Sequence, residues 1–180
     1  MTEPNANQRL IRDLIRDVPD WPKPGVVFKD ITPLLEKPAG FRAAVDELIA
    51  QAPDGIDVVV GMEARGFIFA APVALGLNAG FVPVRKPGKL PGQVLSQQFT
   101  LEYGHETLTI LHDAMWPKAR VLVVDDILAT GGTVAATAAL IKQLGAELVH
   151  VTVLMELGFL DGRKALTEAG IDSFSAVVTV

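Results

Sequence analysis

The chain has 180 residues, which predicts about one domain, and its 49% hydrophobic and 21% charged residues exclude a disordered chain. A net charge of −5 without blocks of like charge gives no support for binding to nucleic acid or to a membrane surface. Cysteine is absent, which excludes a disulfide framework, a thiolate zinc site and a cysteine nucleophile, and suits a cytoplasmic protein.

The N-terminal region predicts two amphipathic helices separated by a proline-rich segment. The first helix is expected over residues 7–18 and the second around residues 41–49. Between them, Pro19, Pro22 and Pro24 prevent a helix and predict an extended, stiff segment over 21–28. The first residues include an acid and no apolar run after a basic residue, so we expect no secretory signal.

From residue 56 onward, short apolar runs alternate with helical patterns. The predicted strands span 56–61, 80–84, 119–124, 148–154 and, at an edge, 175–180; the predicted helices span 66–75 and 133–144. Buried strands joined by crossover helices predict an α/β fold with a mostly parallel sheet flanked by helices. The uncharged run 66–84 is long enough for a membrane span, but prolines and glycines interrupt it, so a buried helix followed by a buried strand fits better.

The segment 85–106 breaks this alternation. It contains Gly88, Pro91, Gly92 and Gly104 and shows little helical periodicity. Connections of this length in compact domains are usually functional. A protruding β-hairpin and a flexible lid both fit the pattern, and the two interpretations are compatible.

The strongest functional pattern covers residues 121–133. It consists of a buried strand, the carboxylates Asp125 and Asp126 at its C-terminal end, and a turn of small residues that opens a helix. Ligands of parallel sheets bind outside the carboxyl ends of the strands, and unpaired N–H groups at a helix start attract anions. The turn therefore predicts a phosphate site. Because carboxylates repel phosphate, we expect Asp125 and Asp126 to face hydroxyl groups or a divalent cation.

Other familiar motifs are missing from the sequence. There is no G-x-G-x-x-G and no G-x-S-x-G, and the P-loop spacing of Gly61 and Gly66 is followed by Phe67 and Ile68 instead of Lys and Ser/Thr. The histidines lack the spacing of metal ligands, so each is expected to be a polar residue of a surface or strand: His105, His112 and His150.

The pattern at 123–133 resembles the phosphoribosyl-pyrophosphate signature of the type I phosphoribosyltransferases. Four further segments resemble motifs of the adenine phosphoribosyltransferase family: Pro-Gly-Val-Val-Phe-Lys-Asp-Ile-Thr-Pro at 24–33, Gly-Met-Glu-Ala-Arg-Gly-Phe at 61–67, Arg-Lys-Pro-Gly-Lys-Leu-Pro-Gly at 85–92 and Leu-Glu-Tyr-Gly at 101–104. The five segments follow the order of the family, and the resemblance runs from about residue 10 to residue 180. The signature alone would identify the superfamily, whereas the five together are specific to the family.

The resemblance implies a fold, a reaction and an assembly. It implies a single domain over 1–180, with an N-terminal helix and base-binding hood in 1–36 and a flexible lid in 85–106. It implies that adenine and phosphoribosyl pyrophosphate react to give AMP and pyrophosphate, as in purine salvage. Mg²⁺ would be held mainly by substrate and water, with no direct protein ligand expected. The family resemblance also implies a homodimer.

The resemblance further implies roles for individual residues around phosphoribosyl pyrophosphate. Asp125 and Asp126 would bind the ribose hydroxyls. The 5′-phosphate would lie in the turn formed by Ala129, Thr130, Gly131, Gly132 and Thr133. The pyrophosphate group would contact Glu63, Ala64, Arg65, Arg85, Lys86 and Lys89. In the family, the peptide bond that corresponds to Glu63–Ala64 is commonly cis.

The resemblance implies that adenine contacts Phe28, Leu157, Arg65 and the backbone of Val27. It also implies that Glu102 is the catalytic proton-transfer group. Simpler interpretations stay open for some of these residues. Arg65 precedes a buried helix and could be structural, and a glutamate in a hairpin normally serves solubility. The three cations of 85–89 could form a solvated basic loop.

Three other functions stay open at this point. The protein could be another type I phosphoribosyltransferase that uses a 6-oxopurine or orotate. It could be a non-catalytic regulator that senses phosphoribosyl pyrophosphate, although 180 residues and a net charge of −5 leave no room for an added DNA-binding segment. It could also be an inactive relative, against which the intact cations of 85–89 and Glu102 argue.

Overall fold

The computed structural model describes residues 3–100 and 105–180. Contacts divide the chain into two compact units, Met1–Glu47 and Leu48–Val180. The first unit contains α1 (Ala6–Asp13), β1 (Arg16–Pro19), β2 (Val27–Asp30), α2 (Thr32–Glu36) and most of α3 (Pro38–Ala50). The short helix α2 was not predicted from the sequence.

The helix predicted over 7–18 is too long. α1 ends at Asp13, and β1 pairs antiparallel with β2. Val18 precedes Pro19, and a residue before proline is disfavoured in the helical conformation. Ion pairs between Arg16 and Asp30 and between Asp17 and Lys29 then join the two strands. The helical spacing of the apolar residues was real, but the proline and the cross-strand charges decide the conformation.

The second unit holds the larger sheet and its helices. Its elements are β3 (Val58–Met62), α4 (Arg65–Gly76), β4 (Gly80–Val84), β5 (Val94–Thr100), β6 (His105–Leu111), β7 (Arg120–Leu128), α5 (Gly132–Gln143), β8 (Glu147–Glu156), a 3-10 helix (Gly158–Leu160), α6 (Gly162–Glu168) and β9 (Phe174–Thr179). Five strands form a parallel sheet in the order β4-β3-β7-β8-β9. The predicted α/β fold is confirmed, including the position of the last strand at an edge.

Both faces of the sheet are buried. Val58, Val60 and Met62 of β3 share one core with residues of α5. Gly61 points to the opposite face, where a Cβ would lie 2.6 Å from the Cβ of Ala70 in α4. The connections β3-α4-β4 and β7-α5-β8 run in opposite directions along the sheet, and right-handed crossovers therefore place α4 and α5 on opposite faces.

The segment that interrupts the alternation contains a β-hairpin, as predicted. β5 pairs antiparallel with β6, and the second strand continues to Leu111, beyond the predicted limit of 106. Gln143 of α5 donates a hydrogen bond to Gln97 of β5 at 3.2 Å, and residues of both strands belong to the core on the α5 face. The hairpin therefore rests on the same face of the sheet as α5.

The uncharged run 66–84 forms part of α4, the following turn and β4, as the sequence predicted. Among the described residues, no helix is long and apolar enough to cross a membrane. The 3-10 helix and α6 were missed by the sequence analysis. Within α6, Gly162 and Leu166 are buried, too few apolar positions for a helical pattern to be read.

A buried histidine lies in a hydrogen-bonded cluster on the sheet. Thr152 and Ser175 each donate a hydrogen bond to Gln51 Oε1, at 2.8 and 2.7 Å. Because the Ser175 proton is used in this way, its oxygen accepts from His150 Nε2–H at 2.8 Å, and Nδ1 accepts from the Ser173 hydroxyl at 2.8 Å. Both ring nitrogens of the neutral imidazole are therefore satisfied, and burial lowers the pKa of His150.

Acidification should weaken the fold through His150. A histidine whose pKa is lowered in the folded state contributes its full stability above the unfolded pKa, near 6.5, and that contribution is lost as the pH falls toward the folded pKa. We expect His150→Gln to flatten the decrease in unfolding free energy between pH 7.5 and pH 5.5, measured by urea denaturation. His112→Gln, at an exposed position, should retain the wild-type slope; an unchanged slope in His150→Gln would contradict this assignment.

Candidate active site

The topology gathers the polar residues at one edge of the sheet. β3 and β7 are neighbours, but the chain leaves them toward opposite sides, which makes their carboxyl ends the topological switch point of the sheet. Glu63 immediately follows β3, and Asp125 and Asp126 lie in the second half of β7. This switch point is where ligands bind in open α/β sheets.

Asp125 and Asp126 form a buried acidic pair. Their residues are 8% and 3% exposed, and Asp125 Oδ1 accepts a hydrogen bond from the backbone N–H of Asp126 at 2.9 Å. Burial raises the pKa of Asp125, and the neighbouring Asp126 charge raises it further. Burial also raises the pKa of Asp126, against the opposing effect of Arg65. Such a pair favours ligands that bring hydrogen-bond donors, such as sugar hydroxyls, over bare anions.

Arg65 compensates part of this buried charge. Its Nη2 lies 2.8 Å from Asp126 Oδ2, with the arginine side chain 36% exposed. The next residue, Gly66, is a functional position that the sequence analysis missed as such. A Cβ there would lie 2.6 Å from Asp125 Oδ1 and 3.4 Å from the Val124 carbonyl oxygen. Glycine therefore allows α4 to begin directly against the acidic pair.

The predicted phosphate turn leads from β7 into α5. Gly131 is the N-cap of α5 with φ +82°, and no side chain caps the first turn of the helix. The N–H groups there are the usual partners of an anion at a helix start. Thr130 is exposed, while Ala129, Gly132 and Thr133 are half-buried. The turn and the acidic pair thus lie on the same strand-to-helix connection.

Glu63 organises the basic residues that follow β4. Its carboxylate accepts hydrogen bonds from Arg85 Nε and Nη2 at 3.2 and 3.3 Å and from the Lys86 backbone N–H at 3.1 Å. These donors lower the pKa of Glu63. Arg85 Nη1 also donates to the Lys89 carbonyl at 3.1 Å, which folds the 85–89 turn. The peptide bond between Glu63 and Ala64 is cis.

The turn that carries the cations also contacts β6 of the hairpin. Lys86 Nζ lies 3.1 Å from Glu106 Oε1 on β6, and the backbone of Arg85 pairs with Thr109 of the same strand. Lys89 is exposed. The base of the hairpin is therefore coupled to the turn that carries the cations. Glu102, the predicted catalytic residue, lies outside the described residues.

The residues predicted to contact adenine belong to two units. Val27, 48% exposed, and half-buried Phe28 lie on β2 of the first unit. The Phe28 ring makes an edge contact with Trp21, with centroids 4.4 Å apart and planes at 66°, a partner that the sequence analysis missed. Leu157 directly follows β8 in the second unit, and its N–H donates to the Leu128 carbonyl at 2.9 Å.

Comparison with known proteins decides the family. The family model "Phosphoribosyl transferase domain" matches residues 31–169. An adenine phosphoribosyltransferase of Cutibacterium acnes is 64% identical over 171 residues, which cover 95% of this chain and 97% of that protein. An adenine phosphoribosyltransferase of Thermobifida fusca is 53% identical over 169 residues, covering 93% and 96%. The chain belongs to the adenine phosphoribosyltransferase family.

Solved structures of the family agree with the fold. A crystal structure of the Thermoanaerobacter pseudethanolicus adenine phosphoribosyltransferase matches with a TM-score of 0.90 and 44% identity, covering 96% of this chain and 99% of that one. The Saccharomyces cerevisiae adenine phosphoribosyltransferase, in complex with an imino-altritol bisphosphate and adenine, matches with a TM-score of 0.89 and 35% identity, covering 96% and 99%.

The donor set of the site suits the Mg²⁺ that the family implies. Asp125 and Asp126 offer carboxylate oxygens, which are the atoms that this cation prefers. Asp126 is already paired with Arg65 at 2.8 Å. Within 3–100 and 105–180, no group of three histidine or acidic side chains is arranged to hold a metal ion. What suits Mg²⁺ here is the carboxylate chemistry of the acidic pair.

The acidic pair should lower the stability of the ligand-free protein. Asp125→Asn keeps the acceptor for the Asp126 N–H, adds a donor toward the neighbouring carboxylate and removes a charge whose pKa burial has raised. We expect this variant to unfold in urea at pH 7 with a free energy about 1–2 kcal/mol higher than wild type, and to lose transferase activity.

The pH dependence and a control identify the cause. A carboxyl with a raised folded pKa is destabilising above that pKa, so the gain of Asp125→Asn should shrink as the pH falls through it. Asp113→Asn, at a position with a 72% exposed side chain, should leave the unfolding free energy within about 0.5 kcal/mol of wild type. If Asp125→Asn instead lowers the unfolding free energy, the acidic pair does not destabilise the ligand-free protein.

Proposed function

We propose that this protein transfers the 5-phosphoribosyl group from phosphoribosyl pyrophosphate to adenine, giving AMP and pyrophosphate. The observation that carries this proposal is the convergence, at the β3/β7 switch point, of the buried pair Asp125–Asp126, the uncapped start of α5 and the Glu63 turn. An acceptor pair for hydroxyls and an anion site at one connection match a phosphorylated ribose. The family and its members' names support adenine as the acceptor.

The proposed site holds the sugar phosphate at two ends. The backbone of the 129–133 turn and the hydroxyls of Thr130 and Thr133 would donate to the 5′-phosphate. Asp125 and Asp126 would accept hydrogen bonds from the ribose 2′- and 3′-hydroxyls. The hydroxyl protons lower the cost of the buried negative charge, so sugar binding relieves a penalty that the free protein carries.

The leaving group is pyrophosphate, which carries most of the charge in the reaction. As the C1′–O bond breaks, positive charge develops on the ribose and negative charge on the departing oxygen. Arg85, Lys86 and Lys89, together with Arg65 and the 63–64 peptide, are the groups proposed to receive it. Mg²⁺ held mainly by substrate oxygens and water would neutralise part of the pyrophosphate charge.

Glu63 gives the cations a defined arrangement before substrate arrives. Its carboxylate gathers Arg85 and the Lys86 N–H. The Arg85 side chain remains 32% exposed, so its charge is accessible from solvent. We propose that pyrophosphate competes with Glu63 for these donors.

The base site would select adenine by its 6-amino group. Phe28 would stack on the purine, Leu157 and Arg65 would line the site, and the Val27 backbone carbonyl would accept from the amine. A 6-oxopurine would place two acceptors face to face, which leaves a buried polar pair unsatisfied at a cost of about 1–3 kcal/mol. Glu102 would accept the proton that leaves adenine as the new N9–C1′ bond forms.

Two further properties complete the proposal. We propose a homodimer, which the large apolar side chains exposed on α4 and β4 support: Ile68, Leu75 and Phe81. We also propose that the enzyme acts in the cytoplasm, where a chain without cysteine is suited to the reducing environment.

The base preference tests the proposal directly. Purified protein with phosphoribosyl pyrophosphate and Mg²⁺ should form nucleotide from adenine, and far less from guanine, hypoxanthine, xanthine or orotate, each offered separately and measured by chromatography. Nucleotide from a 6-oxo base or from orotate would overturn the base assignment. Binding of phosphoribosyl pyrophosphate without any nucleotide would indicate a sensor.

The role of Glu102 has its own test. Glu102→Gln retains the size of the side chain but cannot accept a proton, so kcat with adenine should fall about a hundredfold or more while binding of phosphoribosyl pyrophosphate is retained. Glu168→Gln, on the exposed side of α6, should retain wild-type kcat. If Glu102→Gln turns over at the wild-type rate, another group takes the proton.

A further inference from the structure

The segment that follows β8 lies directly behind the phosphate turn. A Cβ on Gly162 would collide with the carbonyl oxygen of Ala129 and would lie 3.2 Å from its carbonyl carbon. The backbone of the turn therefore rests on the backbone at the start of α6. Both partners are backbone atoms, so neither can move aside by changing a rotamer.

Gly131, within the turn, also packs closely against the start of α6. A Cβ on Gly131 would lie 3.0 Å from the Gly162 carbonyl oxygen and 3.1 Å from the Cβ of Ala165. One residue before the turn, the Leu128 carbonyl accepts the Leu157 N–H at 2.9 Å. The turn is thus supported from 128 to 131 by residues 157–165, and its position depends on where that segment lies.

An ion pair between a buried carboxylate and a half-exposed arginine joins the end of β8 to the start of α6. Arg163 Nε and Nη2 donate to Glu156 Oε1 and Oε2, both at 2.6 Å, which is the two-pronged geometry that arginine forms with a carboxylate. The Glu156 side chain is 6% exposed, whereas that of Arg163 is 52% exposed and lies 5.0 Å from the centroid of the Phe174 ring. Glu156 is the last residue of β8, and Arg163 follows Gly162.

We propose that Glu156 and Arg163 are positioning residues whose ion pair fixes Gly162, and through it the 129–131 turn, in the geometry that binds the 5′-phosphate of the substrate. This inference rests on the proposed function, because it assigns the turn to that phosphate. Both side chains are proposed to act through the backbone of the turn and not by contact with the substrate. The pair acts by closing the loop from β8 to α6, so that the Gly162 backbone meets the Ala129 carbonyl at one place.

Stability alone does not account for this pair. Taking the Glu156 carboxylate out of water offsets much of what the pair gains, and solvent screens the half-exposed Arg163. Its distinctive property is geometric, since two parallel hydrogen bonds fix both the distance and the orientation of the partners. The benefit is large where displacement is costly, and a shift of about 1 Å in a substrate-positioning group reduces rates about a hundredfold.

Binding of ribose 5-phosphate to the full chain, measured by calorimetry, tests the inference. Glu156→Gln and Arg163→Lys each lose the two-pronged pair, and Gly162→Ala keeps the pair but pushes on the Ala129 carbonyl. We expect all three to raise Kd by about tenfold or more. Lys164→Ala, a neighbour on α6 with a 74% exposed side chain, should bind like wild type.

A purely structural role predicts a different result. In that case Glu156→Gln and Arg163→Lys would lower the urea midpoint, but the folded protein would bind ribose 5-phosphate within about twofold of wild type, and this result would overturn the inference. If either substitution prevents folding, Gly162→Ala decides: an unchanged Kd there would also overturn it.

Kinetics separates the inference from the proposed function. With positioning at fault, the KM for phosphoribosyl pyrophosphate should rise in the variants while kcat at saturation falls by a smaller factor. A rise in KM matched by an equal fold-decrease in kcat, or no change in either, would contradict the positioning role. Failure of the proposed function would appear in the wild type instead, as binding of ribose 5-phosphate without formation of AMP from adenine.

Discussion

The buried carboxylates of Asp125 and Asp126 are the constraint on which the rest of the site depends. Burial raises the pKa of both acids, the Asp126 charge raises that of Asp125 further, and Arg65 offsets part of the effect. The start of α4 is shaped by this need, because Gly66 lets the helix begin against Asp125. The buried charge lowers the stability of the ligand-free protein, and a ligand with hydroxyl donors offsets this effect.

The strand order brings the other groups to the same place. The Glu63 turn and the β7–α5 turn follow neighbouring strands at the same edge of the sheet, where Arg65 contacts Asp126. Each turn is then held by a carboxylate: Glu63 binds Arg85, and Glu156 binds Arg163 behind the Ala129 carbonyl. Glu63 and Glu156 thus position other groups, whereas Asp125 and Asp126 are proposed to bind the ribose directly.

Sequence reasoning predicted the parts of this arrangement that rest on local pattern. The apolar runs predicted the parallel strands, with 80–84 matching the strand bounds, and the 121–133 pattern located the acidic pair and the turn. The helix over 7–18 was extended too far because Val18-Pro19 and the charges of β2 override the periodicity. The hydrogen bond from Arg85 to Glu63 and the close approach of Gly162 to Ala129 each join residues that are distant in sequence. No local sequence pattern reveals such contacts.

The titration of the acidic pair tests the account most directly. Carbon-13 NMR of the side-chain carboxyls, assigned through Asp125→Asn and Asp126→Asn, would follow both groups with pH in the free protein and with ribose 5-phosphate bound. We expect the pair to titrate above the ordinary value of 3.8 in the free protein, and the sugar hydroxyls to lower its pKa. Titration of both carboxyls at or below 3.8 in the free protein would contradict it.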